Sequence, residues 1–246
     1  MTQALVLAAG LGTRLRPLTE VCAKPALPVA GEPLIRHIVR WLAAHDVNDL
    51  VINLHYLPQT LTAVLGDGSD LSVRVRYSWE QPQILGSAGG PRLALDIIGS
   101  DTFIIANGDT LTDLNVRTLI DTHRRSGALV TLALVPNREP EKYGGAIMKD
   151  DGTIAGFVSR GPAARTSYHF IGVQMAQAEA FRQLPLRQPA QSIGGLYDAL
   201  IASRPGSIRG FVSDAAFWDI GTPEDYANTS AEFAERQANI RRASSR

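Results

Sequence analysis

The chain has 246 residues, 45% of them apolar, and its 24 basic side chains balance 24 acidic ones to a formal net charge of zero. That length and apolar content suffice to bury a full core in one large α/β domain. The even balance excludes a dedicated nucleic-acid binder, whose footprint is basic overall, but leaves room for a locally basic pocket. Residues 5–8 read as a buried parallel strand, apolar throughout. Residues 33–44 are predicted helical, with Leu34, Ile38, Trp41 and Leu42 on one face and Pro33 at the start. A second buried strand covers 50–54, a short helix 57–65, and a half-exposed alternating strand 73–78. A helix over 88–98, a strand over 103–106, a helix over 113–125 with Asp113 as its N-cap, and a strand over 129–135 follow. This alternation is the βαβ rhythm of a doubly wound sheet.

The rhythm then changes. Strands are predicted over 144–149, 153–159 and 168–173, the first two joined by the turn Asp150-Asp151-Gly152. Helices are predicted over 176–183 and 193–203, and strands over 207–212 and 217–220. Thr222 caps a last helix running from Pro223 to about Gln237, and the Arg/Ser-rich residues 236–246 read as a frayed tail. Cys22 is the single cysteine, so no internal disulfide is expected, which fits a reducing compartment. No basic segment precedes the first apolar run as in a secretory leader, and no apolar stretch reaches the ~20 residues of a membrane span. A cytoplasmic protein without a nucleic-acid or membrane partner is expected.

The first strand runs into Ala8-Ala9-Gly10-Leu11-Gly12-Thr13-Arg14-Leu15-Arg16-Pro17-Leu18-Thr19, and then Ala23-Lys24-Pro25. Glycines let backbone N–H groups approach phosphate oxygens, and the cations offset phosphate charge. A P-loop is excluded because Thr13-Arg14, not Lys-Ser/Thr, follows Gly12. A dinucleotide fingerprint fails at Leu15, and residues 51–55 offer no acidic residue for a ribose. Farther on, Asn107-Gly108-Asp109 follows a buried strand, at the carboxyl end where open α/β sheets bind ligands. Its bland alternative is a simple turn. Trp218-Asp219-Ile220-Gly221-Thr222-Pro223 supplies a second carboxylate before the last helix.

At these residues the chain resembles the sugar-1-phosphate nucleotidyltransferases, whose signature is close to Gly-x-Gly-Thr-Arg-Leu-x-Pro-x-Thr followed by Pro-Lys-Pro. Gly10, Gly12, Thr13, Arg14, Leu15, Pro17, Thr19, Lys24 and Pro25 match, and Ala23 stands where proline is usual. The resemblance implies a Rossmann-like, doubly wound mixed sheet of the nucleotide-diphospho-sugar transferase type. It covers almost the whole chain as one domain, 1–246, with a nucleotide-binding half (1–135) and a sugar-binding half (136–235). It also implies an NTP and a sugar-1-phosphate as substrates, Mg²⁺ as cofactor, and a homodimer as a possible assembly.

Roles carry over residue by residue. Arg14, Lys24 and Asp109 are the implied catalytic groups, with Arg14 on the leaving pyrophosphate and Lys24 on the α-phosphate or the sugar phosphate. Asp109 and Asp219 are the implied metal ligands. Ala8, Ala9, Gly10, Gly12, Thr13, Gly86, Ser87 and Gly108 are expected at the nucleotide, and Glu80 or Gln81 at the base edge. Gly144 and His169 are expected on the sugar side. Ser159-Arg160-Gly161 replaces the family's Glu-Lys-Pro, leaving Arg160 as a candidate for the sugar phosphate. The segment Tyr77-Ser78-Trp79-Glu80 looks most like guanylyltransferases acting on mannose- or heptose-type phosphates, so GTP is favoured. A uridylyltransferase of the N-acetylmuramate-1-phosphate type is the rival, and a catalytically weak nucleotide-sugar sensor is the alternative outside the class.

Overall fold

A computed structural model describes residues 2–244. In chain order the elements of the first half are β1 (Gln3–Leu7), β2 (Pro28–Val29), β3 (Glu32–Pro33), α1 (Leu34–Ala43), β4 (Asp49–Leu54), α2 (Pro58–Leu65), β5 (Arg74–Trp79), α3 (Gly86–Ile98), β6 (Thr102–Asn107), β7 (Thr110–Thr112), α4 (Val116–Ser126) and β8 (Val130–Pro136). The second half adds β9 (Gly145–Met148), β10 (Ile154–Val158), β11 (Tyr168–Gln177), α5 (Glu179–Arg182), α6 (Tyr197–Ser203), β12 (Ile208–Val212), β13 (Phe217–Asp219) and α7 (Pro223–Ser244).

Nine strands form one mixed sheet. Its path runs β10-β9-β11-β6-β1-β4-β5, with β8 joined to β11 and β12 joined to β8. β1 pairs in parallel with both β4 and β6, so it is central and buried on both faces. Its alternation divides the core. Ala4 and Val6 pack with α1 residues Ile38 and Leu42, whereas Leu5 packs with Phe103, Phe181 and Tyr197 on the other face. Burial of both faces explains why the strand reads as a continuous apolar run. α1 presents Leu34, Ile35, Ile38, Val39 and Leu42 to the core at helical spacing.

Several expectations are corrected. The N-cap of α4 is Asn115, whose side chain accepts from the Thr118 N–H, not Asp113. Asp113 instead accepts the Ala216 N–H at 2.8 Å and so ties down the approach to β13. Residues predicted helical from 176 begin as strand, because β11 runs on to Gln177 in register with β6 and β8, leaving only Glu179–Arg182 as helix. Ile193 and Gly194 are not helical, and the regular helix starts at Tyr197. Thr222 does cap α7, accepting the Asp225 N–H at 3.1 Å. That helix continues to Ser244 through the stretch read as frayed, where no glycine or proline stops it. The last two residues of that predicted tail, 245–246, lie outside the described residues. No described helix is long and apolar enough to cross a membrane.

Candidate active site

The carboxyl ends of β1, β4 and β6 meet at the glycine-rich loop. After β1 the Ala8 N–H donates to Asn53 Oδ1 at 2.6 Å. Gly12 takes φ +63°, a left-handed conformation that glycine adopts without strain. A Cβ there would lie 2.9 Å from Thr19 Cγ2, while the Thr19 hydroxyl donates to the Gly12 carbonyl at 2.8 Å. Thr19 therefore closes the loop on itself. Leu15 is buried beneath it, so the neighbouring Thr13, Arg14 and Arg16 are left exposed. Cys22 is half-buried and burial pushes its thiol up, which argues against a reactive thiolate.

Lys24, Asp109 and Asp219 converge from three parts of the chain. The Gly108 N–H donates to the Leu7 carbonyl at 2.9 Å, and a Cβ on Gly108 would lie 2.6 Å from that oxygen. Only glycine lets β6 turn this close to β1. The next residue, Asp109, accepts from Lys24 Nζ at 2.6 Å, and Lys24 is just 8% exposed. β7 and β13 then pair antiparallel, with Asp219 opposite Thr110 and the Ile220 N–H donating to the Asp109 carbonyl at 3.2 Å. This short ribbon brings the second carboxylate beside the first. Gly221 leaves open the space where a Cβ would meet Asp219 Oδ2 at 3.1 Å and Arg14 Nη1 at 3.2 Å. Asp225 and Lys142, which sequence reasoning missed, brace this corner: Lys142 Nζ donates to Asp225 Oδ1 at 2.8 Å, and the Thr222 hydroxyl donates to Asp225 Oδ2 at 2.8 Å.

Burial raises the Asp219 carboxyl above the usual carboxylate range, and the Asp109 charge adds to this while Lys24 and Arg14 oppose it. The native state thus holds that proton more tightly than the unfolded chain, and stability is lost as pH rises through the raised value. In EDTA at neutral pH, Asp219→Asn should unfold at higher urea than wild type, and the gain should vanish on acidification. An unchanged or lower midpoint at neutral pH would contradict the crowding of the two carboxylates.

A cleft of about 230 Å³ opens over these strand ends. Among the residues expected at the nucleotide or phosphate, Ala8, Ala9, Gly10, Lys24, Glu80, Gly86, Ser87 and Asp109 line it. Asn107, from the Asn107-Gly108-Asp109 motif, also lines it, as does Asn53, which was missed although a lone asparagine in an apolar strand is itself a signal. Gly12, Thr13, Arg14 and Gly108 shape or flank the loop without lining the cleft. Gln81 is exposed outside it, its carbonyl 3.4 Å from Arg187 Nη1. Glu80 is 0% exposed, with Oε1 accepting from Asn53 Nδ2 and Oε2 from the Leu85 N–H, both at 2.6 Å. Both Glu80 oxygens thus already accept a protein N–H, although Glu80 or Gln81 was expected at the base edge. Burial pushes its carboxyl up, and the bonds from Leu85 and Asn53 oppose that. The Ser87 hydroxyl is likewise engaged, donating to Gln191 Oε1 at 3.0 Å and accepting the Ser192 N–H at 2.9 Å.

The sugar-side candidates lie apart from this cleft. Gly144 packs where a Cβ would be 2.7 Å from the Val158 carbonyl, and Arg160 is exposed. His169 clusters with Tyr143 and Phe217, with ring centroids at 4.2 and 4.8 Å, in a second cavity. Burial pushes its imidazole down to about 4, so it is neutral at pH 7. A depressed histidine costs stability as pH falls from the unfolded value toward the folded one. His169→Phe should therefore flatten the acid side of the urea-midpoint profile, and parallel profiles for variant and wild type would contradict this.

The donor set suits a hard cation. Two carboxylates, Asp109 after β6 and Asp219 at the end of β13, lie near enough for the charge of Asp109 to raise Asp219, and Asp109 already takes a cationic nitrogen. No group of three or more His, Cys, Asp or Glu side chains is positioned for a metal among the described residues. A Mg²⁺ held by Asp109 and Asp219 would thus complete its oxygen shell from water and substrate phosphate.

These features define an α/β protein whose sheet gathers Lys24, Asp109 and Asp219 at its strand ends. The chain belongs to the Nucleotidyl transferase family, whose model matches residues 3–236. It is 33% identical over 230 residues to a mannose-1-phosphate guanylyltransferase of Mycobacterium tuberculosis, covering 93% of this chain and 64% of that protein. It is 44% identical over 114 residues to an N-acetylmuramate alpha-1-phosphate uridylyltransferase of Neisseria meningitidis, covering 46% of this chain and 49% of the relative. The chain thus aligns with less than two thirds of the length of each. Its fold matches the crystal structure of HddC from Yersinia pseudotuberculosis complexed with GMP-PN, with TM-score 0.80 at 23% identity, covering 95% of this chain and all of that one (100%).

Proposed function

We propose that the protein is a sugar-1-phosphate nucleotidyltransferase, and that GTP and a mannose- or heptose-type 1-phosphate are its substrates. The observation that carries this reading is the meeting of Lys24, Asp109 and Asp219, with Arg14 beside Asp219, at the strand ends. An oxygen of the sugar phosphate attacks the α-phosphorus of the NTP. The bond from that phosphorus to the bridging oxygen breaks, and pyrophosphate leaves with the electron pair. Such a reaction needs positioning and charge neutralisation more than covalent catalysis. Lys24, held in a nearly dry slot, offsets charge on the transferring phosphate. Arg14, exposed on the loop, meets the leaving pyrophosphate. Backbone N–H groups of residues 9–13 cradle the remaining phosphate oxygens. Mg²⁺ on Asp109 and Asp219 would add Lewis-acid stabilisation of the same charge.

The guanine preference is supported by the mycobacterial relative, which aligns with most of the chain. The uridine reading is supported by the higher identity to the Neisseria protein over about half of it. A non-catalytic sensor is disfavoured because all four charged groups are present and adjacent. Chromatography of products from each of the four NTPs with mannose-1-phosphate, a heptose-1-phosphate and N-acetylmuramate-1-phosphate decides the base. A GDP-sugar as main product is the expected result. A UDP-sugar would replace the guanine reading, and nucleotide retained without turnover would favour the sensor.

A further inference from the structure

A buried polar chain runs behind the cleft and is used by none of the steps above. The Ala8 N–H donates to Asn53 Oδ1, Asn53 Nδ2 donates to Glu80 Oε1, and the Leu85 N–H donates to Glu80 Oε2, each at 2.6 Å. Asn53 is 3% exposed and Glu80 is 0% exposed. The two ends of this chain are the two walls of the cleft: the start of the glycine-rich loop at Ala8, and the loop that opens α3 at Leu85-Gly86. Further contacts fix its middle. The Glu80 N–H donates to the Leu54 carbonyl at 2.8 Å, and His55 Nδ1 lies 2.7 Å from the Glu80 carbonyl. α3 presses its glycine onto the pair, since a Cβ on Gly90 would lie 2.5 Å from Glu80 Oε1 and 2.9 Å from Asn53 Nδ2.

We propose that Asn53 and Glu80 are positioning residues for the nucleotide, locking the two walls of the cleft into one preformed unit through this polar relay. The inference rests on the nucleotidyltransferase reading of the cleft. Burying a carboxylate is costly unless its oxygens are satisfied, so a relay this dry is built for geometry rather than for net stability. The order of donors and acceptors is directional. Position 80 must accept twice because Asn53 Nδ2 and the Leu85 N–H both donate to it. Position 53 must accept from Ala8 and donate to position 80.

That direction supplies the test. Asn53→Asp sets an acceptor against an acceptor at the centre of the relay. Glu80→Gln supplies one acceptor where two donors need one each. Combining Asn53→Asp with Glu80→Gln reverses the central bond and satisfies all three links again. The new carboxylate at 53 accepts from Ala8 and from the new amide at 80, whose oxygen accepts from Leu85. Titration calorimetry with GTP and UTP, steady-state kinetics and thermal melting would be run on all four proteins. Each single variant is expected to weaken binding of the preferred nucleotide and raise its KM about 10-fold, in keeping with an unsatisfied buried polar group. The KM for the sugar phosphate should not move, and the double variant should return nucleotide affinity to within a few fold of wild type. Single variants that bind nucleotide as wild type does, or a double variant that is folded but not restored, would overturn the relay alone. A wild-type protein that binds no nucleotide would overturn the functional reading and the relay with it.

Discussion

Asp109→Ala is expected to lower turnover about a thousandfold or more while leaving the protein folded, in line with removal of a group that anchors charge in a transition state. The side chain accepts from Lys24 Nζ and, at 3.4 Å, from the Thr110 hydroxyl, but the backbone bonds that hold the corner do not depend on it. Those are made by the Gly108 N–H to Leu7 and by the Ile220 N–H to the Asp109 carbonyl, both of which survive the substitution. The aspartate side chain is 34% exposed, so its loss opens no sealed cavity. Lys24 loses its direct partner but keeps the nearby charge of Asp219, which already feels it. Kinetics at saturating Mg²⁺, with thermal melting alongside, checks both halves of this. Activity close to wild type would remove Asp109 from the metal and from the reaction.

Lys24→Met should cost about a hundredfold or more in kcat, the scale seen when one charged donor to a developing oxyanion is removed. Methionine roughly keeps the volume and apolar stem, so packing in this buried slot changes little. The ammonium that contacts Asp109 disappears, and the Asp219 carboxyl should rise further because Lys24 no longer opposes burial. Lys24→Arg is not expected to rescue. A planar guanidinium needs room that a slot only 8% exposed lacks, and it does not replace a compact ammonium against Asp109 Oδ2. A Lys24→Met protein with unchanged kcat but raised sugar-phosphate KM would reassign the lysine from the reacting phosphate to ground-state binding.

The parts of this site legible in the sequence are those coded locally. The glycine-rich loop, Lys24 and Asn107-Gly108-Asp109 each lie within a few residues of a buried strand, and apolar runs make such strands easy to find. The pairing of Asp109 with Asp219 comes from the family resemblance and not from any local pattern, because it depends on β7 and β13, a ribbon three residues long on each side, too short to carry a period. Asn53 and Glu80 are farther from reach, because their meaning comes from each other across two strands. The misread helix at 176–183 is a case of local propensity overruled. Its alanines and glutamines favour helix, but pairing with β6 and β8 decides the first residues. His169 packs against Tyr143 and Phe217 and lines a second cavity, apart from the cleft that holds Lys24, a placement that no local pattern in the sequence encodes.

The most direct measurement is pyrophosphate release with Mg²⁺, across four NTPs and a panel of sugar-1-phosphates, with Asp109→Ala as the blank. Release that requires one NTP and one sugar phosphate together, and disappears in the variant, is the predicted result. Release by the variant at the wild-type rate, or release from NTP without any sugar phosphate, would contradict the account of this site.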